Sequence, residues 1–184
     1  MRARDRKLIL PDGTEEAGYG FGAKATGVYE LVFNTSQAGY QEIVSDLSYA
    51  DQAVVMTYPL IGNYGMTDED YECRVLSLGA LIVRDYNDAP SNFRYTKTLS
   101  EVLEENRVPG ISGIDTRKLT RRIRSLGNER VLVTDMDTDL EVGLKRLRES
   151  EARRDAVSRV SCRKKWYKRT ADAKFNVVVI DCGC

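Results

Sequence analysis

Val28-Tyr-Glu-Leu-Val-Phe33 runs into Asn34-Thr-Ser-Gln-Ala-Gly-Tyr-Gln-Glu-Ile-Val-Ser-Asp-Leu-Ser48, and Ala53-Val-Val-Met-Thr57 runs into Tyr58-Pro-Leu-Ile-Gly-Asn-Tyr-Gly65. The first apolar run is β-branched and aromatic and reads as a strand. The second reads as a buried strand. Between them Tyr40 to Val44 starts a short helical turn, which Ser45-Asp46 breaks. Each strand is followed by a loop rich in small, amide and hydroxyl residues. A core strand does not require such a loop, so these two loops are the candidate functional segments.

Working outward, Lys7 to Leu10 reads as a first strand, and Pro11-Asp-Gly13 as a turn that sends Thr14 to Phe21 back as its hairpin partner. Glycines 18, 20 and 22 alternate, but no strand-to-helix phosphate cradle flanks them, and a loop or bulge is the reading. Val75 to Val83, with Gly79 inside, predicts a central strand. Three helices carry start signals. Thr98-Leu-Ser-Glu101 is a capping box, and the helix ends before Pro109-Gly110. Asp115 caps a second helix with Leu119, Ile123 and Leu126 on one face and Gly127 as its stop. Thr138-Asp-Leu-Glu141 is a further capping box, before the stripe Leu140, Leu144 and Leu147. Arg130 to Thr134 reads as a short strand. Together these elements predict an α/β domain over residues 1 to 150. Residues 151 to 174 lose apolar periodicity and read as a linker or extended arm. Phe175-Asn-Val-Val-Val-Ile180 is then a continuous run suited to a strand buried on both faces of a parallel sheet.

At 184 residues the chain suits one domain, or one domain plus part of another. No apolar stretch approaches the roughly 20 residues that span a bilayer. Leu8 to Leu10 is too short for a signal peptide, so a cytoplasmic chain with no membrane partner is the expectation. The four cysteines, Cys73, Cys162, Cys182 and Cys184, are irregularly spaced and suggest neither a disulfide framework nor a metal site. The chain contains no histidine, so it cannot assemble a Ser-His or Cys-His nucleophilic pair from its own residues. Net charge is zero but uneven. Residues 8 to 114 carry 6 basic and 16 acidic side chains, whereas residues 145 to 170 carry 11 basic and 3 acidic. The basic stretch offers Trp166 and Tyr167 as stacking platforms, without a recognised nucleic-acid motif around them.

Five ordered patterns resemble one known family, the small, glutamine-hydrolysing subunit of carbamoyl-phosphate synthase, in its N-terminal domain. FNTxxxGYQE corresponds to Phe33 to Glu42, TDPSY to Ser45 to Tyr49, and TYPxIGNxG to Thr57 to Gly65. APSNxR corresponds to Ala89 to Arg94, and IDTRxLTRxxR to Ile114 to Arg124. The resemblance implies a layered β/β/α fold of the swivelling type. It implies that residues 175 to 184 open a class I glutamine amidotransferase domain whose nucleophilic cysteine, histidine and glutamate lie further on. Cys182 and Cys184 are then not the nucleophile. The complete enzyme would release ammonia from glutamine and pass it to a large synthetase subunit. There ATP and magnesium activate bicarbonate, and carbamoyl phosphate forms for arginine and pyrimidine synthesis. No cofactor is expected in this chain.

One residue receives a role from the resemblance. Ser48, the serine of the TDPSY pattern, would reach toward glutamine bound in the amidotransferase domain, and a hydroxyl suits contact with either a carboxylate or an ammonium group. Leu47 replaces the usual proline there and frees φ. The bland alternative for Ser48 is a hydroxyl capping a local turn. Asn34, Thr35, Gln41, Asn63 and Asn92 would satisfy loop backbone groups or touch ligand, and Ala38 stands where the family often has threonine. Tyr40, Tyr58 and Tyr64 suit an interface or a half-buried core. The basic helix face of Arg117 to Arg124 is either solvated or docks the large subunit. Two rival readings stand beside this one: a stand-alone protein-binding scaffold without enzymatic role, and a nucleic-acid binder using residues 145 to 170.

Overall fold

The Pro11-Asp12-Gly13 turn closes as its residue types dictate. Asp12 Oδ1 accepts the Thr14 N–H at 3.0 Å, Gly13 takes a left-handed φ of 84°, and Leu10 N donates to Thr14 O at 2.9 Å. This joins β1 (Arg6–Ile9) to β2 (Glu15–Gly22), with Lys7 opposite Ala17. The computed structural model describes residues 2–73, 76–151, 153–167 and 170–183. The predicted strands around residues 28 and 53 follow as β3 (Gly27–Asn34) and β4 (Gln52–Met56). A two-stranded ribbon, β5 (Leu60–Ile61) with β7 (Asp85–Tyr86), brackets β6 (Ala80–Ile82). The expected central strand is thus shorter than its apolar run, and Val75 lies outside the described residues. β8 (Pro109–Ser112) and β9 (Arg130–Asp135) complete the set.

Seven strands close into a barrel in the order β1-β2-β8-β6-β4-β3-β9, with β9 returning to β1. The pairs β3-β4, β4-β6 and β6-β8 are parallel, and the pairs that involve β1, β2 or β9 are antiparallel. The protein is therefore a mixed α/β domain with a parallel and an antiparallel half. Alternation along β4 sorts the core. Ala53 and Val55 join Leu8, Leu31, Ile82, Ile111 and Val133 inside the barrel. Val54 and Met56 face outward into a second cluster.

The helices cover the outer faces and one opening. α1 (Tyr40–Ser45) and α2 (Leu99–Glu105) bury Tyr40, Ile43, Val44, Leu99 and Leu103 against the Val54 side. The Thr98 capping box forms as predicted: Glu101 N donates to Thr98 Oγ1 at 3.2 Å and Thr98 N to Glu101 Oε2 at 2.7 Å. α3 (Thr116–Leu126) is capped by Asp115, which accepts the Lys118 N–H at 2.9 Å. Its Leu119 and Ile123 enter the barrel cluster, whereas Leu126 is exposed, because the helix ends there at Gly127. α4 (Leu140–Glu149) lays Leu140, Leu144 and Leu147 on Ile9 and Leu132. Its cap is Asp139 rather than Thr138, whose hydroxyl instead pairs with Thr134 Oγ1 at 2.7 Å.

Two further differences from the sequence reading have physical reasons. Glycines 18, 20 and 22 lie within β2 or at its end instead of forming a loop. A Cβ at Gly18 would stand 2.3 Å from Ser112 O, so the close approach of β8 excludes a side chain there. Pro109–Ser112 is a strand although it opens with Pro-Gly, because β6 and β2 flank it. The arm after α4 contains α5 (Ala156–Val160). Phe175 to Ile180 takes no strand pairing among the described residues, and Val178 is 87% exposed. A lone run has no neighbour to satisfy its backbone.

Candidate functional site

α1 lies between the parallel strands β3 and β4 in the chain and leads toward the start of β4. There Asp46 leaves the helix in an extended conformation, and Leu47–Tyr49 forms a single 3-10 turn. Asp46 Oδ1 accepts the Ser48 N–H at 2.8 Å. Ser48 is exposed, and its hydroxyl has no hydrogen-bond partner among the described residues. Thus the local capping in this turn is done by Asp46, not by the serine. The spacing of an aspartate two residues before the serine was a legible signal for this. Tyr49 is half-buried, and its phenol oxygen accepts Asn34 Nδ2 at 3.0 Å, which ties the turn to the end of β3.

The turn forms part of the lip of an open groove of about 2150 Å³. One wall is the strand edge, with Tyr29, Asp51 and Gly79. The other is the arm, with Arg153, Arg159 and Trp166. Asp51 holds the arm down: its carboxylate pairs with Arg159, and with Arg153 at 3.6 Å. Asp51 sits at a left-handed φ of 59°, which aspartate tolerates better than most residues. Sequence reasoning did not single out Asp51, whose partners are about a hundred residues away.

The remaining candidates separate into two groups. Gln41 is 1% exposed and belongs to the scaffold. Its Nε2 donates to Thr67 O at 2.5 Å and its Oε1 accepts the Thr67 N–H at 2.8 Å, so one amide satisfies both backbone polar groups of a buried residue. Tyr40 is buried, stacks on Tyr64 at 4.1 Å and donates to Gly65 O at 2.8 Å. Tyr64 accepts the Tyr40 N–H at 2.9 Å. Burial pushes both phenols above their usual range, so they stay neutral. Asn34 and Asn92 accept the N–H two residues on, from Ser36 at 2.7 Å and Arg94 at 3.0 Å. The backbone oxygen of Asn63 receives Ser91 N at 3.0 Å. Thr35, Ala38 and Tyr58 are exposed.

On α3, Arg122 is engaged within the domain: it donates to Glu129 at 2.6 Å and to Asp12 at 2.5 Å. Lys118 pairs with Glu16 at 2.6 Å. Arg117, Arg121 and Arg124 are exposed and form no ion pair among the described residues, leaving a free cationic strip. Cys162 is beside Asp181, whose carboxylate takes a hydrogen bond from the thiol and pushes its pKa up, the reverse of what a thiolate nucleophile needs. Cys182 is exposed, and Cys184 lies outside the described residues.

Residues 8–133 match the family model for the carbamoyl-phosphate synthase small chain, CPSase domain. The chain is 43% identical over 180 residues to the carbamoyl phosphate synthase small chain of Oceanobacillus iheyensis, covering 98% of this chain and 49% of that one. It is 44% identical over 178 residues to the carbamoyl phosphate synthase pyrimidine-specific small chain of Bacillus subtilis, covering 97% and 48%. It is 45% identical over 157 residues to the small chain of Fusobacterium nucleatum, covering 85% and 44%. The chain spans about half the length of the curated relatives it matches.

Proposed function

The chain belongs to the carbamoyl-phosphate synthase small-chain family, and on that premise we propose that it is the N-terminal, non-catalytic part of a glutamine-hydrolysing small subunit. In this reading the domain docks a large synthetase subunit and closes one side of a glutamine site with Ser48. The single observation that carries it is the exposed 3-10 turn, where Ser48 offers a hydroxyl unpaired among the described residues at the lip of the groove. A hydroxyl left unpaired while its neighbours are tied down suits a contact made to something outside the domain.

Residues 1 to 150 form the docking domain, its parallel and antiparallel halves corresponding to the two β layers of a swivelling β/β/α fold. Residues 151 to 174 are the linker, and residues 175 to 184 are the first strand of the amidotransferase domain. The exposure of Phe175 to Ile180 supports this, since a β-branched run of that kind needs strands on both sides. The free arginines of α3 supply a second contact to the large subunit, matched to carboxylates there. Glutamine hydrolysis belongs to residues outside this chain, which has no histidine. ATP and magnesium serve the large subunit, where cytoplasmic carbamoyl phosphate for arginine and pyrimidine synthesis is made.

Two measurements test the reading. The purified 184-residue chain should turn over no glutamine, and measurable glutaminase activity would refute the non-catalytic assignment. In the longer small chain assembled with its large subunit, Ser48→Ala should raise the KM for glutamine about tenfold, the factor carried by one hydrogen bond to a charged group, and leave ammonia-dependent synthesis unchanged. An unchanged glutamine KM would remove Ser48 from the site.

A further inference from the structure

Ser48 stands between two anchored neighbours. On its N-terminal side the Asp46 carboxylate accepts the Ser48 N–H at 2.8 Å, from an extended backbone at φ −76° and ψ 120°. On its C-terminal side the phenol of Tyr49 receives Asn34 Nδ2 at 3.0 Å, while the same asparagine spends its Oδ1 on Ser36 N at 2.7 Å. The turn's own backbone bonds are two: Tyr49 N to Asp46 O at 3.3 Å and Ala50 N to Leu47 O at 3.1 Å. A three-residue 3-10 turn has little intrinsic stability. Leu47, lacking a ring, does not lock its own φ. The direction of the Ser48 hydroxyl is therefore set by the side chains on either side of it.

We infer that Asp46 and the Asn34–Tyr49 pair are positioning residues that aim the Ser48 hydroxyl at the carboxylate or ammonium group of an amino-acid ligand. The inference rests on the proposed role of Ser48 and extends it to three residues that act through the turn. Asp46 holds the turn from inside the loop. Asn34 holds it from the end of β3, so the rigid barrel edge, rather than the loop, sets the register of the serine.

The test uses the longer small chain assembled with its large subunit and reads glutamine KM, glutamine-dependent kcat and ammonia-dependent synthesis. Asp46→Ala should raise the glutamine KM about fivefold, the factor that loss of one capping bond carries, with ammonia-dependent synthesis kept. Asp46→Asn retains a cap oxygen and should restore the parental KM. Tyr49→Phe keeps the ring in the core but loses the acceptor, and should raise KM about twofold. In a Ser48→Ala background Asp46→Ala should add nothing, since there is no hydroxyl left to aim. A merely structural role for Asp46 would instead multiply the two effects, and that result would overturn the inference. An unchanged KM in both Asp46→Ala and Tyr49→Phe beside a raised one in Ser48→Ala would overturn it while leaving Ser48 in place. An unchanged KM in Ser48→Ala would overturn both. If Asp46→Ala fails to fold, Tyr49→Phe alone and combined with Ser48→Ala decides the same question.

Discussion

The segment from residue 57 to 72 and the described residues of the arm from 151 to 183 carry only short elements, β5 and α5, yet they are held differently. The first is fastened mainly by neutral groups in the interior, with one exposed ion pair, Arg94 with Glu69, beside them. Gln41 bonds both the N–H and the C=O of Thr67, Tyr40 donates to Gly65 O, and Ser45 Oγ accepts the Glu72 N–H at 3.0 Å. The second is fastened by charge at the surface, through Asp51 with Arg153 and Arg159, while its apolar run faces solvent. Breaking a buried neutral bond leaves a desolvated partner behind, whereas breaking an exposed ion pair returns both ions to water. The residues of the family patterns concentrate in the first kind of attachment. Tyr40, Gln41 and Ser45 tie the irregular segment to α1, the helix that leads into the Ser48 turn.

That contrast predicts a graded series. The largest effect belongs to Gln41→Leu, which strands the Thr67 N–H and C=O together and should cost about 3 kcal/mol in chemical denaturation. A loss below about 1 kcal/mol would mean that water replaces the amide and that the two attachments are alike. Tyr40→Phe keeps the stack on Tyr64 but drops one bond to Gly65 O, and should cost about 1 kcal/mol by the same measurement.

Asp12 is an intermediate case, an exposed carboxylate bonded to the part-buried Arg122. That bond first, then the Thr14 N–H, holds its pKa down to about 2 from an ordinary 3.8. The depressed value means the stabilisation is present above pH 3.8 and is lost as pH falls through about 2. Asp12→Asn should therefore lower Tm slightly at neutral pH, by less than about 1 kcal/mol in stability given the exposure, and the penalty should shrink toward zero as pH falls through about 2. A penalty that persisted in acid would point to the turn geometry instead of the charge.

The smallest effect on global stability belongs to Asp51→Asn, at about 0.5 kcal/mol or less, because asparagine accepts the same left-handed φ and only the ion pairs are lost. Its local effect should be clear: trypsin should cut the arm near Arg163 to Lys165 several times faster. An arm cleaved at the parental rate would show that the ion pairs do not hold it.

Much of this architecture was legible one element at a time. The Pro-Asp-Gly hairpin, the strands around residues 28 and 53, the Thr98 capping box and the Asp115 cap all arose where the residues suggested, because turn chemistry and capping act over two to four residues. Local chemistry also misled. Asp139 took the cap expected of Thr138, whose hydroxyl had a strand partner, and Leu126 fell beyond the packed face of α3. The role of Ser48 came through resemblance, and its 3-10 turn, with Asp46 as the cap, emerged only in three dimensions.

The amino-acid order by itself determined most of the strands and helices, where many of them start, and that the chain supplies no imidazole. Only the tertiary structure decided that the sheet closes, with Arg6 opposite Asp135 across 129 residues, that β8 presses on Gly18, that Gln41 serves Thr67, and that Ser48 faces outward on a tethered turn. The division has one cause. Periodicity and capping are satisfied by near neighbours, whereas closure, close approach and the partner of a buried amide depend on residues that the fold alone brings together.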